Sequence, residues 1–179
     1  MKLIFDHTNS LLFEDTPYIS VEAVRENESA KFMFENGWVP FYENKKEHWY
    51  QTKSSRLKIT PISKRRKKEL SKIKIAEKTE NLQIETPLSF KWYDDGNFED
   101  FYFDDVFWGR VHFFENQVLY SVMNKTQDKK SYGTLSYYYL LDKFLGKFDY
   151  LYITDYFDIY KYKKNLLGFQ YWNGSDWVN

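Results

Sequence analysis

With 179 residues, 26 basic against 26 acidic side chains and no cysteine, the chain is long enough to bury a core. It has no net field to draw in nucleic acid, and it excludes disulfides, thiolate nucleophiles and cysteine-ligated metal centres. Aromatic side chains make up 21% of it, a bias that an A+T-rich coding sequence produces as readily as a stacking function does.

Short apolar runs at 3–5 and 11–13 read as strands or an arm, and the first is too brief for a signal peptide. Ser20 with 22–24, followed by 28–36, reads as a helix with acidic residues early, stopped by Asn36-Gly37. Two aromatic runs, 38–42 and 48–51, flank the polar stretch 43–47 and predict a hairpin, and 56–60 alternates as a strand. No stretch is apolar enough to span a bilayer, so a soluble, cytoplasmic protein without a membrane partner is expected. His7, His48 and His112 stand apart from one another, at no metal-ligand spacing, and no metal is expected.

The strongest charge feature runs from 64 to 74 and opens with Lys64, Arg65, Arg66, Lys67 and Lys68. Such a cluster supplies sequence-independent, salt-sensitive contacts to phosphates, or else forms a solvated helix face. Residues 76–87 are polar and aperiodic, as a linker is. The expected division is an N-terminal lobe over 1–75, a linker over 76–90 and a core over 91–179.

In that core, 98–108 and 109–114 read as successive strands and 118–123 as a third, with turns at 94–97 and 115–117. Asp104 and Asp105, taken as neighbours on a strand, point to opposite faces and do not share an ion. Lys129, Lys130, Ser131, Tyr132, Gly133, Thr134 and Leu135 follow, leading into an apolar helix that reaches residue 144. A glycine turn that opens a helix directly off a strand is an anion site: first-turn N–H groups and the helix dipole point at the ligand, and glycine permits close approach. Gly146 ends the helix; a strand over 148–154, a short helix over 160–167, the turn at Gly168 and a closing stretch over 169–172 complete an α+β order.

Strand, anion turn, helix, strand, helix, Gly-Phe, strand resembles the cofactor half of the GNAT acyltransferases. Their phosphate signature has a basic or Gln residue, Gly three places on and Gly or Ala two further; Lys130, Gly133 and Leu135 occupy those places, Leu135 being a departure. A narrower resemblance is to the C-terminal core of the arginyl- and leucyl-tRNA protein transferases. It is carried by the basic pair, Ser131-Tyr132-Gly133-Thr134-Leu135-Ser136, then Tyr150-Leu151-Tyr152-Ile153, and Gly174-Ser175-Asp176-Trp177 near the end. Asn36-Gly37-Trp38, Trp49-Tyr50-Gln51 and Ser63-Lys64-Arg65-Arg66 follow that family's N-terminal order, without its Cys-rich patch or its long middle segment. Asn165-Leu166 stands where the family has Tyr-Lys.

The resemblance implies a GNAT-like mixed sheet flanked by helices, with a small N-terminal lobe. It also implies transfer of an amino acid from aminoacyl-tRNA to a protein N-terminus or another amine, with no bound cofactor. In the alternative, coenzyme A carries the acyl group, or the module is non-catalytic and binds nucleic acid or protein. A compact, aromatic-rich chain of this style is expected of a phage or another small mobile genome. Oxyanion donors are expected along 120–124, with Met123 and Asn124 at its end, and Lys129 and Lys130 with the N–H groups of 131–135 would hold the phosphates. Asp155 is the first choice of base, because strand ends in such sheets open onto the ligand crevice. Asp158 and Glu115 are alternatives, and Tyr156 or Tyr160 would donate to the leaving hydroxyl.

Overall fold

Period-two alternation dominates the chain, and it builds two sheets. The computed structural model describes residues 2–6, 21–51, 54–77, 95–124, 131–155 and 163–179. Among them, β1 (Lys2–Asp6), β2 (Val21–Val24), β3 (Trp38–Glu43) and β4 (Lys46–Gln51) form a four-stranded sheet in the order β1-β2-β4-β3. The other strands are β5 (Ser54–Lys58), β6 (Ile75–Glu77), β7 (Asn97–Phe103), β8 (Val106–Phe114), β9 (Gln117–Met123), β10 (Tyr150–Asp155), β11 (Phe169–Trp172) and β12 (Trp177–Val178). They form an eight-stranded sheet in the order β12-β11-β5-β10-β9-β8-β7-β6. Helices α1 (Ala30–Glu35), α2 (Lys64–Leu70) and α3 (Tyr132–Lys143) complete a mixed α+β architecture.

The large sheet is covered on both faces, which is why its central strands are apolar in both registers. Leu57, Val111, Val118, Tyr120, Leu151 and Ile153 face one way, into a core shared with Leu70 of α2 and Leu135, Leu140 and Leu141 of α3. Phe114, Leu119 and Tyr152 face the other way, against Met33 and Phe34 of α1 and Trp38, Val39, Trp49 and Tyr50 of the small sheet. Phe34 stacks on Tyr152 at 4.2 Å and meets the edge of Trp49 at 5.1 Å. The segments 1–75 and 91–179 therefore share one sheet: β5 lies between β10 and β11 and pairs antiparallel with both.

Several boundaries differ from the sequence reading: β2 occupies Val21–Val24, where the helix is expected to begin, and β6 runs into the expected linker at 76–77 and pairs with β7. The β3–β4 turn is only Asn44 and Lys45, both with positive φ, so the strands extend into the stretch read as a polar tip. The break between β7 and β8 falls at Asp104 and Asp105 (φ 51° and 66°), not after Trp108. Two consecutive aspartates tolerate the left-handed region that a tight hairpin turn needs, and Gly109 lies inside β8, where a Cβ would come within 2.7 Å of Phe101 and Tyr120. Helix α3 begins at Tyr132, one turn earlier than the apolar run suggests, because Ser131 (φ 81°) reverses the chain there. Of the helix expected over 160–167, the described part is a single 3-10 turn at 163–165.

Candidate functional site

Strands β9 and β10 are parallel and α3 crosses between them, so both strands end at the edge where α3 starts. Antiparallel pairing brings the Asp104–Asp105 turn and Ser54, which opens β5, to that same edge. The pairing of β9 with β10 is short. Leu151 pairs with Val118 and Tyr152 with Leu119, and among the described residues the ladder goes no further.

Beyond that point each strand carries an extra residue against its other neighbour. In β9, Ser121 is inserted between Tyr120 and Val122, which pair with the consecutive residues Val111 and Arg110 of β8. In β10, three steps from Tyr152 to Asp155 match two steps from Arg56 to Ser54 in β5. Bulges bend and twist the strands that carry them. Two of them lie just past the last parallel pair, where β9 and β10 cease to pair among the described residues, and the crevice that the resemblance implies would lie there, between Tyr120–Met123 and the end of β10.

The start of α3 stands at this crevice. Ser131 caps the helix without a side-chain bond, and its carbonyl accepts from the Leu135 N–H at 2.8 Å. Helix geometry leaves the first-turn N–H groups without intrahelical acceptors, and a Cβ built on Gly133 would have nothing within 4 Å. The backbone there is open to approach. Leu135 is 5% exposed and packs into the core, so its bulk at the small-residue place of the resemblance is spent on the sheet. Thr134 is half-buried. Tyr132 packs its ring edge-on against Trp108 and Phe103, and its hydroxyl donates to Asp104 Oδ2 at 2.5 Å, which holds the phenol above its ordinary pKa.

Other expected residues fall in different places. Met123 lies opposite Gly109 in β8 at the end of β9. Asn124 donates its backbone N–H to the Trp108 carbonyl (2.7 Å) and its side-chain amide to the Phe107 carbonyl (2.8 Å), so it secures β9 to β8 instead of facing the crevice. Asp155 ends β10 at the crevice edge, opposite Ser54; its side chain lies outside the described set. Lys129, Lys130, Tyr156, Asp158 and Tyr160 also lie outside the described residues.

Glu115 sits in the β8–β9 turn, at the opposite end of β9 from Met123. Its carboxylate pairs with Arg25 and accepts from the Ala30 N–H at the start of α1 (3.1 Å). The hydrogen bond from Arg25 is the largest cause holding Glu115 below the usual carboxylate range. It fastens α1 to the sheet and is not brought to the crevice.

The basic run forms α2, capped by Ser63 Oγ accepting from Arg66 N–H, and α2 packs beside α3 on the same face of the sheet. Arg65 and Arg66 pair with Glu69 (3.1 and 2.7 Å), Arg66 also lies 4.6 Å over the Tyr138 ring, and Lys67 is 3.4 Å from Asp142. Lys64 and Lys68 are exposed, with no ion-pair partner among the described residues.

Sequence reasoning missed several groups. Read as a strand carboxylate, Asp104 gives no sign of its hydrogen bond with Tyr132, although with Asp105 it forms the β7–β8 turn. Ser121 is invisible without the register, and so is its partner His112, 2.7 Å away. His48 is not isolated either: one of its ring nitrogens and one oxygen each of Glu22 and Glu43 lie within 4.8 Å of one another. No protein-family model and no curated protein sequence matches the chain.

Proposed function

We propose that the chain is an acyltransferase of GNAT-like design that moves an amino acid from aminoacyl-tRNA to an amine, either a protein N-terminus or a smaller acceptor. The observation that carries this reading is the pair of parallel strands, β9 and β10, which part after two paired positions beside the open first turn of α3. A crevice with backbone polar groups on one wall and a helix start at its mouth suits an extended phosphorylated donor whose reactive carbonyl must reach between two strands.

In this reading the acceptor amine attacks the ester carbonyl on the terminal adenosine. Holding the two reactants in near-attack geometry supplies most of the acceleration. First-turn N–H groups of α3 hold phosphate, and Lys129 and Lys130 add charge. Asp155 takes the proton of the acceptor, and the hydrogen-bonded pair Tyr132 and Asp104 stands at the same edge as a second route for a proton. Lys64 and Lys68 on α2 meet the tRNA backbone.

A second reading, in which coenzyme A carries the acyl group, is favoured by the space over Gly133, which suits any pyrophosphate. One assay separates them. Label is followed from a pool of charged tRNAs to protein and small amines, with Gly133→Trp as the blocked control, and acetyl-coenzyme A is tested for a rise in Tm. Transfer by the unblocked protein alone supports the first reading. A Tm rise without transfer from tRNA replaces it with the second. Neither, with tRNA bound in a salt-dependent way, makes the protein a binding module.

A further inference from the structure

His112 is 2% exposed in β8, and both of its ring nitrogens are engaged. Nε2 lies 3.0 Å from the Asp95 carbonyl oxygen, which only accepts, so Nε2 carries a proton and the neutral ring presents a lone pair at Nδ1. That lone pair faces Ser121 Oγ at 2.7 Å. Ser121 is the bulged residue of β9, on the segment that has left β10, and it is not buried.

We propose that Ser121 is a nucleophile, with His112 Nδ1 as its general base and the Asp95 carbonyl as the group that orients that base. Nucleophile, base and orienting acceptor in sequence at hydrogen-bond spacing are what an activated hydroxyl requires. The hydrogen bonds around the pair can be drawn with the proton on either partner. With the ring neutral, the serine proton lies toward Nδ1. With the ring protonated, Nδ1–H donates to Oγ, and the hydroxyl turns to the Arg110 carbonyl, 3.1 Å away. The adjacent Arg110 guanidinium is neutralised by Asp100 (2.6 and 3.0 Å), which lessens its repulsion of an imidazolium.

The acyl group in the step rests on the transferase reading; the nucleophile does not. The step replaces the amine's direct attack on the tRNA ester with two successive transfers: first, Oγ adds to the ester carbonyl as its proton passes to Nδ1. The C–O bond to the ribose oxygen then breaks, that oxygen takes the proton from Nδ1, and the acyl group remains as an ester on Ser121. The acceptor amine adds to this ester and gives a proton to Nδ1, and Oγ leaves with that proton to restore the hydroxyl.

A chain without cysteine makes the test direct, because Ser121→Cys introduces a single thiol. Its alkylation by iodoacetamide is followed from pH 5.5 to 9. An ordinary thiol, with a pKa of about 8.5, is about 1% thiolate at pH 6.5, so a thiolate paired with imidazolium should react at least tenfold faster there. A rate that tracks an ordinary thiol, or no alkylation of the folded protein, overturns the proposal. On the unsubstituted protein, diisopropyl fluorophosphate should leave one adduct, mapped by mass spectrometry to Ser121 and formed about 100-fold more slowly in His112→Asn. Should that buried substitution unfold the chain, the thiol experiment still decides. Adduct formation without transfer from charged tRNA upholds the nucleophile and removes the donor; transfer undiminished in Ser121→Ala removes the nucleophile and upholds the transferase.

Discussion

Tyr120 donates its phenolic proton to Ser136 Oγ at 2.9 Å, and Ser136 donates in turn to the Gly133 carbonyl at 2.7 Å. This chain of two bonds ties the half of β9 beyond its pairing with β10 to the first turn of α3. Ser136 is fully buried and Tyr120 is 4% exposed. Ser136→Ala takes from Tyr120 a buried acceptor and should cost about 1–3 kcal/mol, while Tyr120→Phe should cost about 0.5–1.5 kcal/mol. In urea denaturation the double variant should show a coupling of about 0.5 kcal/mol or more. Strict additivity would mean that the two groups do not act as a unit.

How much of this could be read in advance follows from the range of each signal. The strand at 118–123 and the strand near 150 are local patterns and fall where period and punctuation place them, whereas the helix read after Gly133 exists but starts before it, at Tyr132. The Asp104–Asp105 turn was missed because aromatic alternation continues on either side of it, and local conformation outweighs such a pattern when two residues tolerate positive φ. That β5 joins the large sheet between β10 and β11 is a pairing across about half the chain, which no window of sequence reports. Ser121 and His112 meet only because a bulge shifts the register between β8 and β9. Likewise Glu115 looks like any turn carboxylate until Arg25, 90 residues earlier, comes beside it.

Two glycines should respond in opposite directions to alanine. At Gly37 φ is +78°, and a Cβ would lie 2.4 Å from the Trp172 ring, so Gly37→Ala combines left-handed strain with overpacking and should cost about 2–5 kcal/mol. Gly133 is helical and a Cβ there would meet nothing within 4 Å, so Gly133→Ala should stabilise by about 0.4–1 kcal/mol. The same methyl group stands where a donor phosphate would approach the backbone. Gly133→Ala should therefore raise Tm and weaken the donor. A Tm rise with the donor's KM unchanged would show that nothing closes on that turn.

The ion pair of Glu115 with Arg25 makes a prediction in pH. Because the folded pKa of Glu115 is depressed, its contribution is present above the unfolded carboxylate value of about 4.3 and is lost as pH falls through the folded value. The side chain is 47% exposed, so solvent screening limits the contribution to about 0.5–1 kcal/mol. Glu115→Gln should lose that amount at pH 7, and the difference should shrink as pH falls below the unfolded carboxylate value and vanish below the folded one. Its effect on transfer should be confined to stability, since it lies at the far end of β9 from the crevice. A fall in kcat at unchanged Tm would place Glu115 in the chemistry after all.

The cations of α2 divide into two groups with separable effects. Arg66 is held by Glu69 at 2.7 Å and by the Tyr138 ring at 4.6 Å, so Arg66→Ser should cost about 1 kcal/mol through lost packing on α3. Lys64 and Lys68 are exposed and should tolerate Ser within about 0.5 kcal/mol. If they meet phosphates, each should contribute about 0.7–0.9 to the slope of log K against log salt for tRNA binding. The double replacement Lys64→Ser with Lys68→Ser should then flatten that slope by about 1.4–1.8 and leave Tm in place. An unchanged slope would return α2 to the role of a solvated helix that braces α3, and would require that tRNA be held from the crevice side alone.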